Sequence, residues 1–109
     1  MGLTARLAAA AGITTRCVGS LELIAAQDVD AFLLAAKNEG VAILGIEGFR
    51  LEEGHAVPDV DAIADFSGLP IDEDLVDTAY QEAHRFLREV SHADMYFDFE
   101  AQTVAKPSP

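Results

Sequence analysis

The residues best suited to chemistry in this chain are acidic. Asp59, Asp61 and Asp65 form a cluster just after a histidine, and carboxylate oxygens are the ligands that Mg²⁺ and Ca²⁺ prefer. Their spacing does not match an EF-hand loop, which needs a glycine at the sixth position and a glutamate at the twelfth. A cluster of like charges without such a ligand frame is usually solvated surface. A small metal-dependent enzyme that uses these aspartates is therefore the alternative interpretation, and no metal and no cofactor is expected.

A nucleophile beside a base is the other chemistry that these residue types allow. Cys17 is the single cysteine, and the histidines that could serve as its base are His55, His84 and His92. Cys17 lies in no recognisable nucleophile context, which favours its interpretation as a small buried hydrophobic residue. The sequence therefore predicts no catalytic residue, and we do not expect an enzyme.

The distribution of charge is more informative than any motif. The chain has 19 acidic and 7 basic residues and a net charge of −12. All the acidic residues lie between Glu22 and Glu100, with only four lysines or arginines among them. A small domain needs a net charge of only about 2–8 in magnitude to stay soluble. The excess predicts a cationic partner, and it argues against direct nucleic-acid binding because phosphates would be repelled.

Length and composition predict one folded domain. The chain has 109 residues, of which 50% are hydrophobic, whereas a disordered acidic segment is poor in large apolar side chains. A lone cysteine cannot form an internal disulfide, so the cytoplasm is the expected compartment. The apolar run over residues 7–12 is too short for an export signal. Nothing approaches the ~18–20 consecutive apolar residues of a membrane span, so no membrane partner is expected.

Apolar periodicity predicts the elements that would position these residues. Residues 3–11 are helix-competent, and residues 13–18 are rich in β-branched side chains, as in a short edge strand. Asp28 is placed to cap a second helix, and Gly40 to follow its end. The continuous apolar run over residues 41–46 is typical of a strand covered on both faces.

The segment after that strand is ambiguous. Residues 52–55 predict a turn in which Gly54 has a positive φ, followed by a short returning strand that Pro58 ends. Apolar residues in 59–66 recur at strand spacing, yet a proline followed by acidic residues is also typical of a helix start. The two alanines there favour a helix. A long amphipathic helix with an apolar stripe from Val76 to Val90 follows, and then a half-buried strand over residues 95–100.

These elements sum to an α+β fold. We expect a small mixed or antiparallel sheet with two or three helices packed on one face. The single domain would cover residues 1–101, with a flexible C-terminal tail over residues 102–109.

Three segments resemble small acidic bacterial immunity proteins of polymorphic or contact-dependent toxin systems. They are Gly40 to Leu51, Val57 to Ser67 and Met95 to Glu100. The resemblance implies a cytoplasmic antitoxin that neutralises a cognate toxin, commonly a nuclease, by covering its active surface. The charge argument supports the same partner independently, because a nuclease presents cations to phosphate and an acidic inhibitor can associate with it rapidly.

In this interpretation the acidic residues act in recognition, and a partly exposed tyrosine acts as an anchor. The predicted contact residues are Asp59, Asp61 and Asp65, with Glu47, Glu52 and Glu53 along the predicted hairpin, and a second patch of Tyr96, Asp98 and Glu100. A homodimeric adaptor joined through edge strands is the other interpretation that the sequence leaves open.

Overall fold

The computed structural model describes residues 2–104 and has an α+β fold. The helices are α1 (Leu3–Ala11), α2 (Val29–Asn38) and α3 (Leu75–Val90), with a 3₁₀ turn, Ala26–Asp28, before α2. The strands are β1 (Arg16–Val18), β2 (Leu21–Ala25), β3 (Val41–Glu52), β4 (His55–Asp65) and β5 (Met95–Thr103). They form one sheet in the order β1-β2-β5-β3-β4, and every pair is antiparallel. The predicted fold class is confirmed.

The main core lies between the sheet and the helices. Met95, Phe97 and Phe99 alternate along β5 and are buried against helical residues. The ring of Phe32 from α2 stacks on Phe99, with ring centroids 4.6 Å apart. Full burial of one such side chain contributes about 1.5–3 kcal/mol. The intervening residues of β5 point to the opposite face of the sheet, because side chains alternate along a strand.

Side chains of β4 and β5 pack closely over Gly48, at the centre of β3. A Cβ atom at Gly48 would lie 2.7 Å from the Cβ of Ala62 and 2.8 Å from the Cε of Met95. Added atoms in a packed core typically destabilise a fold by about 1–3 kcal/mol. The lack of a side chain at this position is therefore needed for the three strands to pack as they do.

Residues 59–65 form part of β4, so the predicted helix over 59–66 is wrong. Pro58 does not end the strand, because β4 is an edge strand and tolerates a residue without an N–H. Phe49 pairs with Pro58, and Glu47 pairs with Ile63. Between these two pairs β3 has one residue, Gly48, whereas β4 has four, residues 59–62. We term residues 59–62 the β4 bulge. Its three extra residues reverse the alternation of the strand.

The start and end of α2 lie where the sequence predicts them, but the predicted capping contact is not formed. Asp28 holds the N-cap position of α2, as predicted, yet its side chain makes no capping hydrogen bond. Gly40 follows the end of α2 with a φ of +70°. None of the helices within residues 2–104 has the length and apolar character needed to cross a bilayer.

The C-terminal strand is longer than predicted. Gln102 and Thr103 pair with β3, and the N–H of Val104 donates to the carbonyl oxygen of Gly40 at 3.1 Å. These residues therefore belong to the domain, although the sequence placed the start of a tail at residue 102. The rest of that predicted tail, residues 105–109, lies outside the described residues.

Candidate partner-binding surface

Three neighbouring strands carry acidic side chains on the face of the sheet that points away from the main core. Glu47 of β3 lies directly opposite Asp98 of β5. Gly45 pairs with Glu100 on one side and with Asp65 of β4 on the other. The four carboxylates therefore lie on one face of β4, β3 and β5, with Glu47 beside Asp98 and with Asp65 and Glu100 on either side of Gly45. We term Glu47, Asp65, Asp98 and Glu100 the acidic sheet face.

Gly45 leaves a shallow cleft in the middle of this face. A Cβ atom at Gly45 would lie 3.1 Å from the Oε2 atom of Glu100 and 3.2 Å from its Cβ. The cleft has a volume of about 360 Å³, and the residues that line it include all four carboxylates, together with Ile63 and Ser67. An open cleft of this form offers a surface to another molecule without enclosing it.

The carboxylates differ in their pKa values because their surroundings differ. Burial raises the pKa of Asp98 above the ordinary aspartate value, and the nearby charges of Glu47 and Glu100 raise it further. Hydrogen bonds from the side chain and the backbone N–H of Ser67 lower the pKa of Asp65. The Ser67 N–H donates to Oδ1 of Asp65 at 2.9 Å. Ionisation of the Asp98 carboxyl is thus disfavoured in the folded protein, whereas that of Asp65 is favoured.

Within residues 2–104, no cation neutralises the acidic sheet face. The ion pairs in this range are Lys37–Asp77 and Arg85–Glu82, with a further contact between His84 and Asp30, and all of them join helical residues. Arg50 is the one lysine or arginine in β3, β4 and β5. It lies in register with Met95, whose side chain belongs to the core on the other face. The acidic sheet face therefore presents its charge to solvent.

The predicted contact residues fall into three groups. One group shares a single face of adjacent strands and contains Glu47, Asp65, Tyr96, Asp98 and Glu100. The second lies at the end of the β3–β4 hairpin, where Glu53 (φ +50°) and Gly54 (φ +80°) form the turn after Glu52. The third is Asp59 and Asp61 in the β4 bulge. Because β5 pairs with β3, the predicted second patch is continuous with part of the first.

The aspartates of the metal hypothesis do not converge on a common point. The N–H of Asp61 donates to Oδ1 of Asp59 at 3.0 Å, while Asp65 accepts from Ser67 instead. Across the described part of the chain, no three His, Cys, Asp or Glu side chains are placed to hold one metal ion.

The prediction that Cys17 is a buried hydrophobic residue is wrong. Cys17 is exposed, because it lies on β1, a three-residue strand at the edge of the sheet. Its partner in β2 is Glu22, and Cys17 is not among the residues of the main core.

Sequence reasoning missed two exposed apolar residues of β4, one on the acidic sheet face and one in the β4 bulge. Val60 is 80% exposed and projects from the β4 bulge, and Ile63 is 52% exposed opposite Glu47. Regular strand spacing predicts that Val60 lies on the same face as Ala62 and Ala64, which face the core. The signal that could have identified Val60 is its position between Asp59 and Asp61, since two flanking carboxylates favour a solvated segment.

A larger depression, of about 660 Å³, runs along α3. It is lined by Tyr80, Gln81, His84, Arg85, Arg88 and Glu89. All these residues belong to one helix, so no second element supplies the converging groups that mark a ligand pocket. The acidic sheet face, to which three strands contribute, is the better candidate site.

Comparison of the chain with protein-family models, with curated proteins and with solved structures finds no match of any of the three kinds.

Proposed function

We propose that this protein is an immunity protein that binds a cognate bacterial toxin domain through the acidic sheet face and thereby blocks the active surface of the toxin. The observation that carries the proposal is the group of four carboxylates on one face of β4, β3 and β5, none of which forms an ion pair within residues 2–104. Like charges directly opposite on neighbouring strands destabilise a sheet. The arrangement therefore favours binding of a cationic partner over stability of the free protein.

A nuclease is the toxin that this surface would fit best. An enzyme that acts on nucleic acid must present lysine or arginine side chains to phosphates, and an acidic inhibitor can occupy the same side chains. Long-range attraction between the two surfaces would speed their association. In this role the protein would meet its toxin in the cytoplasm, as its resemblance to immunity proteins implies.

The form of the surface supports recognition rather than catalysis. The cleft at Gly45 is shallow and spans three strands, which suits contact with another protein. The alternative of a metal-dependent enzyme would need Asp59, Asp61 and Asp65 to share a metal ion, whereas the carboxylates of Asp59 and Asp65 accept hydrogen bonds from the separate backbone N–H groups of Asp61 and Ser67. A cationic protein is therefore the proposed partner.

Co-expression tests the proposal. Candidate toxins are the C-terminal domains of large proteins encoded next to this gene, and each would be expressed with and without the full chain. We expect cell survival, a stable complex, and an association rate that falls as salt rises. Cell death without a complex, for every such candidate, would contradict the proposed function.

A matched pair of variants tests the surface. Glu47→Gln, Asp98→Asn and Glu100→Gln together remove three charges from the acidic sheet face. Glu73→Gln, Glu89→Gln and Asp94→Asn remove three charges from exposed positions elsewhere. We expect the first variant to associate about 10-fold more slowly at low salt and the second to change little. Equal losses in both variants would show that only the net charge matters and would exclude the acidic sheet face as the contact surface.

A further inference from the structure

Val60 and Ile63 are exposed apolar residues of β4: Ile63 lies on the acidic sheet face, and Val60 lies in the adjoining β4 bulge. They are 80% and 52% exposed, and Ile63 lies directly opposite Glu47. Single exposed apolar residues are common on protein surfaces, so exposure alone carries no argument. These two differ because both lie on β4, within three residues of each other, and have carboxylates on either side.

Val60 is exposed on the β4 bulge, and its neighbours in the chain are anchored. The hydrogen bond from the N–H of Asp61 to Asp59 closes the segment on one side of Val60. Ala62 is 1% exposed and packs over Gly48, which fixes the other side. A side chain presented by an anchored segment loses little conformational freedom on binding. The backbone that carries Val60 is thus anchored on both sides before any partner binds.

We propose that Val60 and Ile63 are the apolar anchors of the partner interface, and that the partner surface is an apolar patch bordered by lysine or arginine side chains. This inference rests on the proposed function, since it names the partner chemistry of the same surface. Charge complementarity selects the occupant: the neighbours of the two residues are Asp59, Asp61 and Glu47. A second copy of this chain would bring the same carboxylates against each other and is repelled.

The two kinds of residue contribute differently to binding. Exposed charges mainly raise the rate of association, whereas desolvated apolar contacts near the centre of an interface mainly set how long the complex lasts. Removal of Val60 and Ile63 should therefore shorten the lifetime of the complex with little effect on association. The acidic variant should show the reverse pattern.

Two synthetic peptides of equal length and charge provide defined probes. One alternates lysine with leucine and the other alternates lysine with serine. Binding to the full chain is measured by titration at low and moderate salt, and amide chemical shifts map the contact. We expect the lysine–leucine peptide to bind about 10-fold tighter, with shifts at Glu47, Ile63 and Asp98. Val60→Thr with Ile63→Thr should abolish this advantage and leave lysine–serine binding unchanged.

Leu34 and Ile71 supply the matched control, because they are 49% and 89% exposed on other parts of the surface. Leu34→Gln with Ile71→Thr should keep the preference for the lysine–leucine peptide. Equal binding of both peptides, retention of the preference after the Val60 and Ile63 substitutions, or its loss in the control would overturn the inference. Failure of both peptides to bind at low salt, or binding that ignores the acidic-face substitutions, would instead contradict the proposed function.

Discussion

Asp98 lies between two residues of like charge, Glu47 across the sheet and Glu100 along β5. Its pKa is raised by burial and by these neighbours. The folded state therefore holds the Asp98 proton to a higher pH than the unfolded chain does. The stabilisation from this proton is complete below the ordinary aspartate pKa and is lost as pH rises through the folded pKa. The pKa of Asp65 is shifted in the opposite direction, below the ordinary aspartate pKa. The ionised Asp65 therefore stabilises the fold at pH values above the ordinary aspartate pKa, and this stabilisation is lost as pH falls through the folded pKa.

Asp98→Asn should raise the free energy of unfolding at neutral pH by about 0.2–1 kcal/mol, because it removes a like-charge cross-strand pair. Glu47→Gln should lower the pKa of Asp98 without restoring the ordinary value, since burial is the first cause of the shift. Urea denaturation measures the stability, and carboxyl NMR measures the pKa. Asp94→Asn, in an exposed turn, is the control and should change little. A loss of stability in Asp98→Asn at neutral pH would contradict this account of the acidic sheet face.

At the scale of elements, both edges of the sheet are protected against pairing with another chain. β1 has only three residues. β4 is longer, but it carries Pro58, the β4 bulge and the charges of Asp59, Asp61 and Asp65. Prolines, bulges and charges on an edge strand all hinder edge-to-edge association. The homodimer that the sequence left open is therefore disfavoured, and we expect a monomer.

Pro58→Thr with Asp59→Thr and Asp61→Thr should make the protein self-associate as its concentration rises, because the edge would gain an N–H donor and lose its repulsion. Analytical ultracentrifugation over a concentration series measures this. Pro70→Thr with Glu73→Thr and Asp94→Thr makes the same types of change outside the strands and should stay monomeric. A parent protein that already dimerises at micromolar concentration would show that β4 is not a protected edge.

The elements also show which parts of the fold the sequence can predict. α3 and β5 carry unbroken apolar patterns, so both were predicted close to their true positions. β4 was not, because the bulge reverses the phase of its alternation after Pro58 and leaves Val60 exposed. The pairing of β5 with β3 is a long-range contact that local patterns do not encode. The sequence therefore singled out acidic residues that share this face, but it did not show that β3, β4 and β5 bring them together or that Val60 and Ile63 are exposed near them.

Across the whole molecule, charge is divided between two layers. The helical layer contains every ion pair within residues 2–104, while the acidic sheet face has no balancing cation in that range. The net charge of −12 belongs to a chain of only 109 residues. Repulsion between exposed charges acts over roughly 10 Å at 0.1 M salt and over longer distances in more dilute buffer. The folded state is therefore least stable when little salt is present.

The melting temperature should rise by several degrees between low and moderate NaCl, since about 1 kcal/mol corresponds to ~4–8 °C for a domain of this size. Calorimetry over a salt series measures this. The rise should be smaller in the variant with Glu47→Gln, Asp98→Asn and Glu100→Gln, because fewer like charges then remain to be screened. A melting temperature that falls over the same range would contradict the repulsion argument.

The β4 bulge is the part of this surface that we expect to vary most easily during evolution. The pairs at Pro58 and Ile63 fix the register of the hairpin on both sides of it, so we expect that residues 59–61 can be exchanged without shifting the core. Substitutions at exposed positions away from packed contacts usually change stability little. Mutations there can retarget recognition while the fold is preserved, whereas Glu47 and Asp98 are constrained by their paired strands.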